Sequence, residues 1–415
     1  MTDAGLEHVW RRCAPDVLAA LVRSYGDFDA AEDAVQEALL AATRHWPTDG
    51  LPDNPKAWLI TVASRRLVDR WRSERARAGR EELVARRTPA EELLAPAADV
   101  ADAADRDDSL ALLLLCCHPA LTRPSQVALT LRAVAGLSTG QIARAFLVPE
   151  ATMAQRISRA KSRLRQVGAR FNVPSAEQMP DRVAAAAHVL YLVFTEGHTS
   201  TTGAGLVDPS LADEAVRLTR RLREHLPQDG EVAGLLALML LTDARRAARG
   251  RRDGSLVPLA EQDRTRWDQT LIREGIGLVE RALPHGPVGP FQLQAAIAAV
   301  HAEAARAEDA DWAQIEALYR MLHDLAPGPV VTLNHAVAVA MVDGPNAGLD
   351  MLDSLLEDGQ MRRHHRLHAV RAHLLEMDGR VDEARDAYGT AARLATSIPE
   401  QRYLNTKAGV AAGTS

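Results

Sequence analysis

Apolar positions three and four residues apart recur along most of the 415-residue chain, while strict alternation is scarce, so the pattern predicts helices throughout. Over 29–42, Ala31, Ala34, Val35, Ala38, Leu39 and Ala42 form one stripe, with Asp33, Gln36 and Glu37 on the other side. Asp29 and Glu32 suit the N-terminus of that helix. A loop rich in breakers, TDGLPDNP, follows Trp46 and Pro47; Asn54 and Pro55 then offer a cap and an early proline for a helix over 56–77. Further on, a short helix and a longer one meet at Leu147, Val148 and Pro149. Ser138 and Gln141 have the spacing of a capping box ahead of an Ile142, Ala143, Phe146 face. In the longer helix Ile157, Ala160 and Leu164 share the buried face, which leaves Thr152, Gln155, Arg156, Arg159 and Arg163 outward.

The second half reads as successive helices broken by Gly and Pro, among them VAAAAHVLYLVF, FQLQAAIAAVHAEAARA and WAQIEALYRMLHDL. LLEMDGRVDEARDAYGTAARL has a helix, a Gly turn and a second helix with small and aromatic residues at repeat positions, like a tetratricopeptide unit. MVDGPNAGLDMLDSLL is a weaker turn of the same kind. Units of this type bury their faces only by stacking, which gives a curved solenoid. The fold class expected is all-α.

Charge divides the chain more sharply than its net value of -6 suggests. Residues 1–174 hold 24 Lys+Arg against 22 Asp+Glu, whereas 175–415 hold 25 against 33, so contact with nucleic acid belongs to the first part. The second helix of the 137–165 stretch carries five basic residues and fits a major groove; the plainer reading is a solvated amphipathic helix. The helix over 56–77 carries Lys56, Arg65, Arg66, Arg70, Arg72, Arg75 and Arg77 around Trp58 and Trp71. Cations interleaved with rings suit unstacked single strands, although Trp58 is expected in the core. Between the two lies 88–108, with seven acids and one Arg, a flexible acidic linker.

Other candidate chemistry falls away. Cys116, Cys117 and His118 lack a fourth convergent ligand and read as a buried helix end stopped by Pro119. TEGHTSTTGAGL, over 195–206, lacks the Lys-Ser/Thr ending of a phosphate-binding loop. His364, His365 and His368 have no HExxH spacing, which favours a solvated face. No nucleophile–base pair or carboxylate pair stands out, so the expectation is a non-enzyme without metal or cofactor. With neither a leader pattern nor a run of 18 apolar residues, a cytoplasmic protein without membrane contact is expected.

AEDAVQEALLAATRHW, then NPKAWLITVASRRLVDRWR, then the helix-turn-helix over 137–165 resemble regions 2 and 4 of extracytoplasmic-function sigma factors, small members of the sigma-70 family. The resemblance covers about residues 6–170, with the three motifs in the family's order. It implies that Asp33, Gln36 and Glu37 face the β′ clamp helices of core RNA polymerase, and that region 4 meets the β flap. It implies that the 46–54 loop, with Trp46, Asp49, Gly50 and Asn54, captures a flipped minus-10 base, and that Lys56, Arg65, Arg66, Arg70 and Arg72 hold the melted strand. Ala154, Gln155, Ser158 and Arg159 match the positions that read the minus-35 element, with Thr152, Arg156 and Arg163 beside them. Arg65 stands where many members have Asn.

The organisation expected is region 2 over 1–80, a linker over 81–108, region 4 over 109–173 and a tetratricopeptide-like domain over 174–410. The last resembles the extension of one group of these factors and is expected to modulate activity and to hold an unidentified regulator or ligand. The function implied is promoter-directed initiation with core polymerase. The alternative, a helix-turn-helix regulator with a helical-repeat sensor, leaves the acidic face and basic helix over 29–77 without a task.

Overall fold

A computed structural model describes residues 3–81, 108–146, 148–169, 171–198, 209–251, 255–359 and 361–409. These residues are helical, joined by turns, 3-10 segments and one isolated antiparallel bridge between Gly250 and Leu256, so the fold is all-α. The chain divides into two compact units, Met1–Val189 and Leu190–Ser415.

In the first unit, helices Asp3–Tyr25, Phe28–Asp49 and Pro55–Glu81 pack pairwise on one another. Gly26, at φ +72, reverses the chain between the first two, in a conformation that disfavours any residue with a Cβ. Asp27 then caps the second, accepting from Ala30 N at 3.0 Å. Ala31, Ala34, Val35, Ala38 and Ala42 are buried along that helix as the stripe requires, and Asp33, Gln36 and Glu37 are exposed. The helix runs on through Pro47 to Asp49, seven residues beyond Ala42. Trp46 drives this extension: its ring is 2 % exposed and meets the Trp58 ring edge-on at 5.4 Å, a contact that holds the last turns in place. Asn54 caps Pro55–Glu81 by accepting from Ala57 N at 3.0 Å.

Helices Ser109–Cys116, Arg123–Ala133, Thr139–Ala145 and Glu150–Gln166 complete this unit's described core. The capping box is present, with Gln141 N on Ser138 Oγ at 3.1 Å and Ser138 N on Gln141 Oε1 at 2.8 Å. Leu147 and most of the expected linker, 82–107, lie outside the described residues. Cys116 and Cys117 are buried; Cys117 lies 3.6 Å from the Thr130 hydroxyl, and burial pushes its thiol up to about 12. Such a thiol stays protonated and unreactive.

Glu32 does more than favour a helix start. Its carboxylate, 7 % exposed, accepts from Arg132 Nε at 2.6 Å and pairs with the Lys161 ammonium. Asp29 adds contacts to Lys161 at 3.3 Å and Arg165 at 2.5 Å. Helix Phe28–Asp49 is thereby tied to Arg123–Ala133 and Glu150–Gln166 through charge-assisted contacts, those of Glu32 largely shielded from solvent and that of Arg165 open to it.

In the second unit, the helices from Trp312–Leu325 to Ile398–Lys407 each pack chiefly on their sequence neighbours, the local pattern that lets helical repeats stack, whereas Gly230–Asp243 packs on both Gln269–Ala282 and Pro290–Glu303. His365–Met377 and Val381–Leu394 turn at Gly379, at φ +78, and Tyr388 donates to Glu376 at 2.8 Å across the pair. Pro329–Asp343 and Pro345–Glu357 turn at Gly344, at φ +98. Helix Pro290–Glu303 is capped from outside, since Glu231 accepts from Phe291 N at 3.1 Å and Gln292 N at 3.0 Å. The histidines over 364–368 have separate tasks: His364 caps its helix, His365 meets Glu400 at 3.2 Å, and His368 contacts Arg362 O at 2.8 Å. Among the described residues no group of three or more His, Cys, Asp or Glu is placed to hold a metal, and no helix is long and apolar enough to cross a membrane.

Two packing details give testable consequences. A Cβ on Gly234 would lie 2.6 Å from Gln292 N, so Gly234→Ala must push the Gly230–Asp243 and Pro290–Glu303 helices apart. It is expected to destabilise by about 2 kcal/mol despite Ala's better helix propensity, lowering the melting temperature by about 4–8 °C in calorimetry. Glu32→Ala strands two cations, and amide exchange in the Arg123–Ala133 helix should accelerate about thirtyfold, equivalent to about 2 kcal/mol.

Candidate nucleic-acid interface

Helix Glu150–Gln166 has three faces. Met153, Ile157, Ala160 and Leu164 are buried, at spacings that keep them on one side. On one flank Arg156, Arg159 and Arg163 follow one another at i, i+3 and i+7, with Thr152 one turn before; Arg159, Arg163 and Thr152 are exposed and Arg156 half-buried. Lys161 and Arg165 lie on the opposite flank and are held by Asp29 and Glu32. Gln155 is exposed on the arc between the flanks, and Ala154 and Ser158, also exposed, share the row of Lys161 and Arg165 at spacings of three and four. The five cations counted in the sequence therefore split into three that face outward and two that bind the protein's own carboxylates. Periodicity already left Lys161 and Arg165 out of the outward set, but it gave no sign of the carboxylates that hold them.

The Pro55–Glu81 helix presents Arg65, Arg66, Arg70 and Arg72 to solvent. Two of these already meet the acidic face: Arg70 Nη1 lies 2.6 Å from Asp33, and Arg66 Nε 3.8 Å from Glu37. Both pairs are exposed at both ends, so each contributes about 0–1 kcal/mol and yields to a competing partner. Acidic and basic residues that sequence reasoning assigned to separate partners are neighbours on one surface. Each helix exposes charges at helical spacing, but their pairing depends on how the two helices pack. Lys56 is half-buried, 3.9 Å from Asp16. The side chains of Arg75 and Arg77 lie outside the described residues.

Trp46 is not on a loop. It is core, and its ring cannot stack on a base while packed against Trp58. The loop expected over 46–54 is shorter: Asp49 ends the helix, Gly50 follows at φ +87, and both are exposed, as are Leu51, Asp53 and Asn54. Trp58 is half-buried in the same aromatic group, and Trp71 meets Tyr25 edge-on at 5.6 Å. Beside Gln36 lies a cleft of about 270 Å³, lined in part by Trp10, Leu18, Leu39, Arg132 and Ser138. It adjoins the Glu32 contacts and was not foreseen from sequence.

A helix with an outward cationic flank on a capped helix-turn-helix can lie along a duplex, phosphates being met by arginine and base edges by the amide and hydroxyl between. An exposed acid-and-amide face beside a basic helix can dock a charged protein surface while leaving arginines for a strand. Residues 9–77 match the model of sigma-70 region 2, 111–164 that of sigma-70 region 4, and 182–283 that of a family of unknown function, DUF6596. An uncharacterized protein of Rhizobium meliloti (strain 1021) is 43 % identical over 413 residues, covering 97 % of this chain and 95 % of its own. No solved structure matches. The interface residues fall within the two sigma regions, whose members bind core RNA polymerase and promoter DNA, and the chain belongs to the sigma-70 family of sigma factors, with a C-terminal domain added.

Proposed function

We propose that the chain is a sigma factor of the extracytoplasmic-function type that acts in the cytoplasm, directs core RNA polymerase to particular promoters and initiates transcription, with the second unit modulating that activity. The observation that carries this reading is the pairing, within one compact unit, of the free arginine flank on Glu150–Gln166 with the exposed Asp33, Gln36 and Glu37 face. A duplex-binding regulator has use for the first alone. In this reading Arg159, Gln155, Ser158 and Ala154 address the minus-35 element, with Thr152, Arg156 and Arg163 along its backbone, while region 4 meets the β flap. Asp33, Gln36 and Glu37 meet the β′ clamp. Asp49, Gly50 and Asn54 form the part of the minus-10 pocket that remains after Trp46 is assigned to the core, and Lys56, Arg65, Arg66, Arg70 and Arg72 follow the melted strand.

The core-docking and strand-binding sets overlap through the Asp33–Arg70 and Glu37–Arg66 pairs. Docking on the polymerase would take the carboxylates and release the arginines toward DNA, so binding of the first partner prepares the surface for the second. Unstacking promoter bases costs a few kcal/mol, which contacts from released arginines help to offset.

Run-off transcription with purified core enzyme tests the function directly: specific starts are expected, and their absence together with absent core binding overturns it. Asp33→Arg combined with Glu37→Arg should abolish core binding in a pull-down and leave duplex binding intact. Arg159→Ala should weaken binding to a minus-35 duplex by about tenfold, equivalent to about 1.4 kcal/mol, and relax base preference where that side chain reaches. A chain ending at His198 keeps the helix that begins at Met179 and removes the later helices. Its reporter activity should differ from that of the full chain; an equal signal rejects modulation by the second unit.

A further inference from the structure

Two sets of helices share the first unit. Asp3–Tyr25, Phe28–Asp49 and Pro55–Glu81 pack on one another, and so do Ser109–Cys116, Arg123–Ala133, Thr139–Ala145 and Glu150–Gln166. Among the described residues, the substantial helix packing between the sets is that of Asp3–Tyr25 on Ser109–Cys116, where Arg23 also meets Asp108 at 2.6 Å. Helix Phe28–Asp49 crosses the border through charged side chains. Glu32 meets Arg132 at 2.6 Å and also Lys161, and Asp29 meets Lys161 at 3.3 Å and Arg165 at 2.5 Å. Beside these pairs the border is unfilled: the cleft of about 270 Å³ takes Trp10, Leu18 and Leu39 from the first set and Arg132, Ser138 and Gln141 from the second.

The same contacts adjoin both working faces of the proposed sigma factor. Lys161 and Arg165 continue the row of Ala154 and Ser158, so a row that would address the minus-35 element runs on into helix Phe28–Asp49. Gln36, on the core-docking face, stands one helical turn after Glu32 and lines the cleft opposite Ser138. Length adds a constraint. Minus-10 and minus-35 elements lie about 25 base pairs apart by their own numbering, which is about 85 Å along a duplex. A compact unit of this chain length is about 40 Å across. While Lys161 touches Asp29, the two DNA-binding faces cannot reach both elements, so this arrangement belongs to the free chain and has to open on a promoter.

We propose, on the basis of the sigma-factor reading, that Asp29 and Glu32 with Arg132, Lys161 and Arg165 form an autoinhibitory latch. It holds the recognition helix against region 2 and keeps the free chain off DNA until core polymerase opens it. Glu32 is the stronger half, because its carboxylate and both partners are largely out of solvent. The Asp29–Arg165 pair is open to solvent and yields more easily. Arg132 couples the latch to the helix-turn-helix, since it also donates to Leu137 O at 3.1 Å. Opening uncovers the apolar contact of Ser109–Cys116 with Asp3–Tyr25, which a protein surface can cover and a duplex cannot. The polymerase is therefore the opener, and duplex alone is not.

Affinity of the full chain for a labelled duplex of mixed sequence, about three helical turns long, tests the latch by fluorescence anisotropy. Asp29→Asn combined with Glu32→Gln should raise it at least fivefold. Asp29→Asn alone, which leaves the buried carboxylate in place, should give a smaller rise. Glu280→Gln combined with Asp382→Asn removes as much charge from exposed positions in the second unit and should leave the affinity unchanged. Spin labels supply a distance: at Arg44→Cys and Gln166→Cys, both exposed, in a Cys13→Ser background with Cys116 and Cys117 buried, they should lie within about 40 Å in the free chain and beyond it once core enzyme is bound. An affinity indifferent to both latch variants, an equal rise in the second-unit control, or a label distance that bound core enzyme does not lengthen would each overturn the latch. A chain that neither binds core enzyme nor starts transcription overturns the sigma-factor reading instead, and the duplex affinities still decide whether the pairs mask a DNA-binding surface.

Discussion

The first unit depends on a single buried carboxylate. Glu32 sits on a helix whose neighbours along the stripe are alanines, and an unpaired carboxylate there would be strongly unfavourable. Arg132 and Lys161 reach it from two other helices, so the charge is compensated only when all three helices are in place. That conditionality is what a buried ion cluster contributes: it selects one arrangement among several of similar apolar burial, even where the net stabilisation is modest. Arg132 extends the linkage by donating to Leu137 O at 3.1 Å, just before the helix-turn-helix begins.

Much of the architecture was legible because it rests on short-range rules. Ser138 and Gln141 are three residues apart, and the reciprocal bonds they make need no information from elsewhere. The Ala31 to Ala42 stripe and the Ile157, Ala160, Leu164 face follow from periodicity alone. Trp46 was misplaced for the converse reason. Pro47 and the polar residues after it read as a loop, but the partner that holds the helix together is Trp58, beyond the next turn. Tertiary packing outweighed the local signal.

The candidate surface was legible in composition and illegible in pairing. Asp33, Gln36 and Glu37 were recognisable as an exposed face, and Arg65, Arg66, Arg70 and Arg72 as a cationic one. That Arg70 reaches Asp33 depends on how the Phe28–Asp49 and Pro55–Glu81 helices cross, which no spacing within either helix encodes.

The division of the Glu150–Gln166 helix into flanks carries a further consequence. A cation already neutralised by a carboxylate of its own protein displaces no counterion when a phosphate approaches, whereas a free one does. With Lys161 and Arg165 engaged by Asp29 and Glu32, this helix meets a duplex as a trivalent polycation; with those ties open, it meets it as a pentavalent one. The ionic-strength dependence of duplex affinity therefore counts how many of these internal pairs survive in the bound state, a thermodynamic record of the first unit's own conformation.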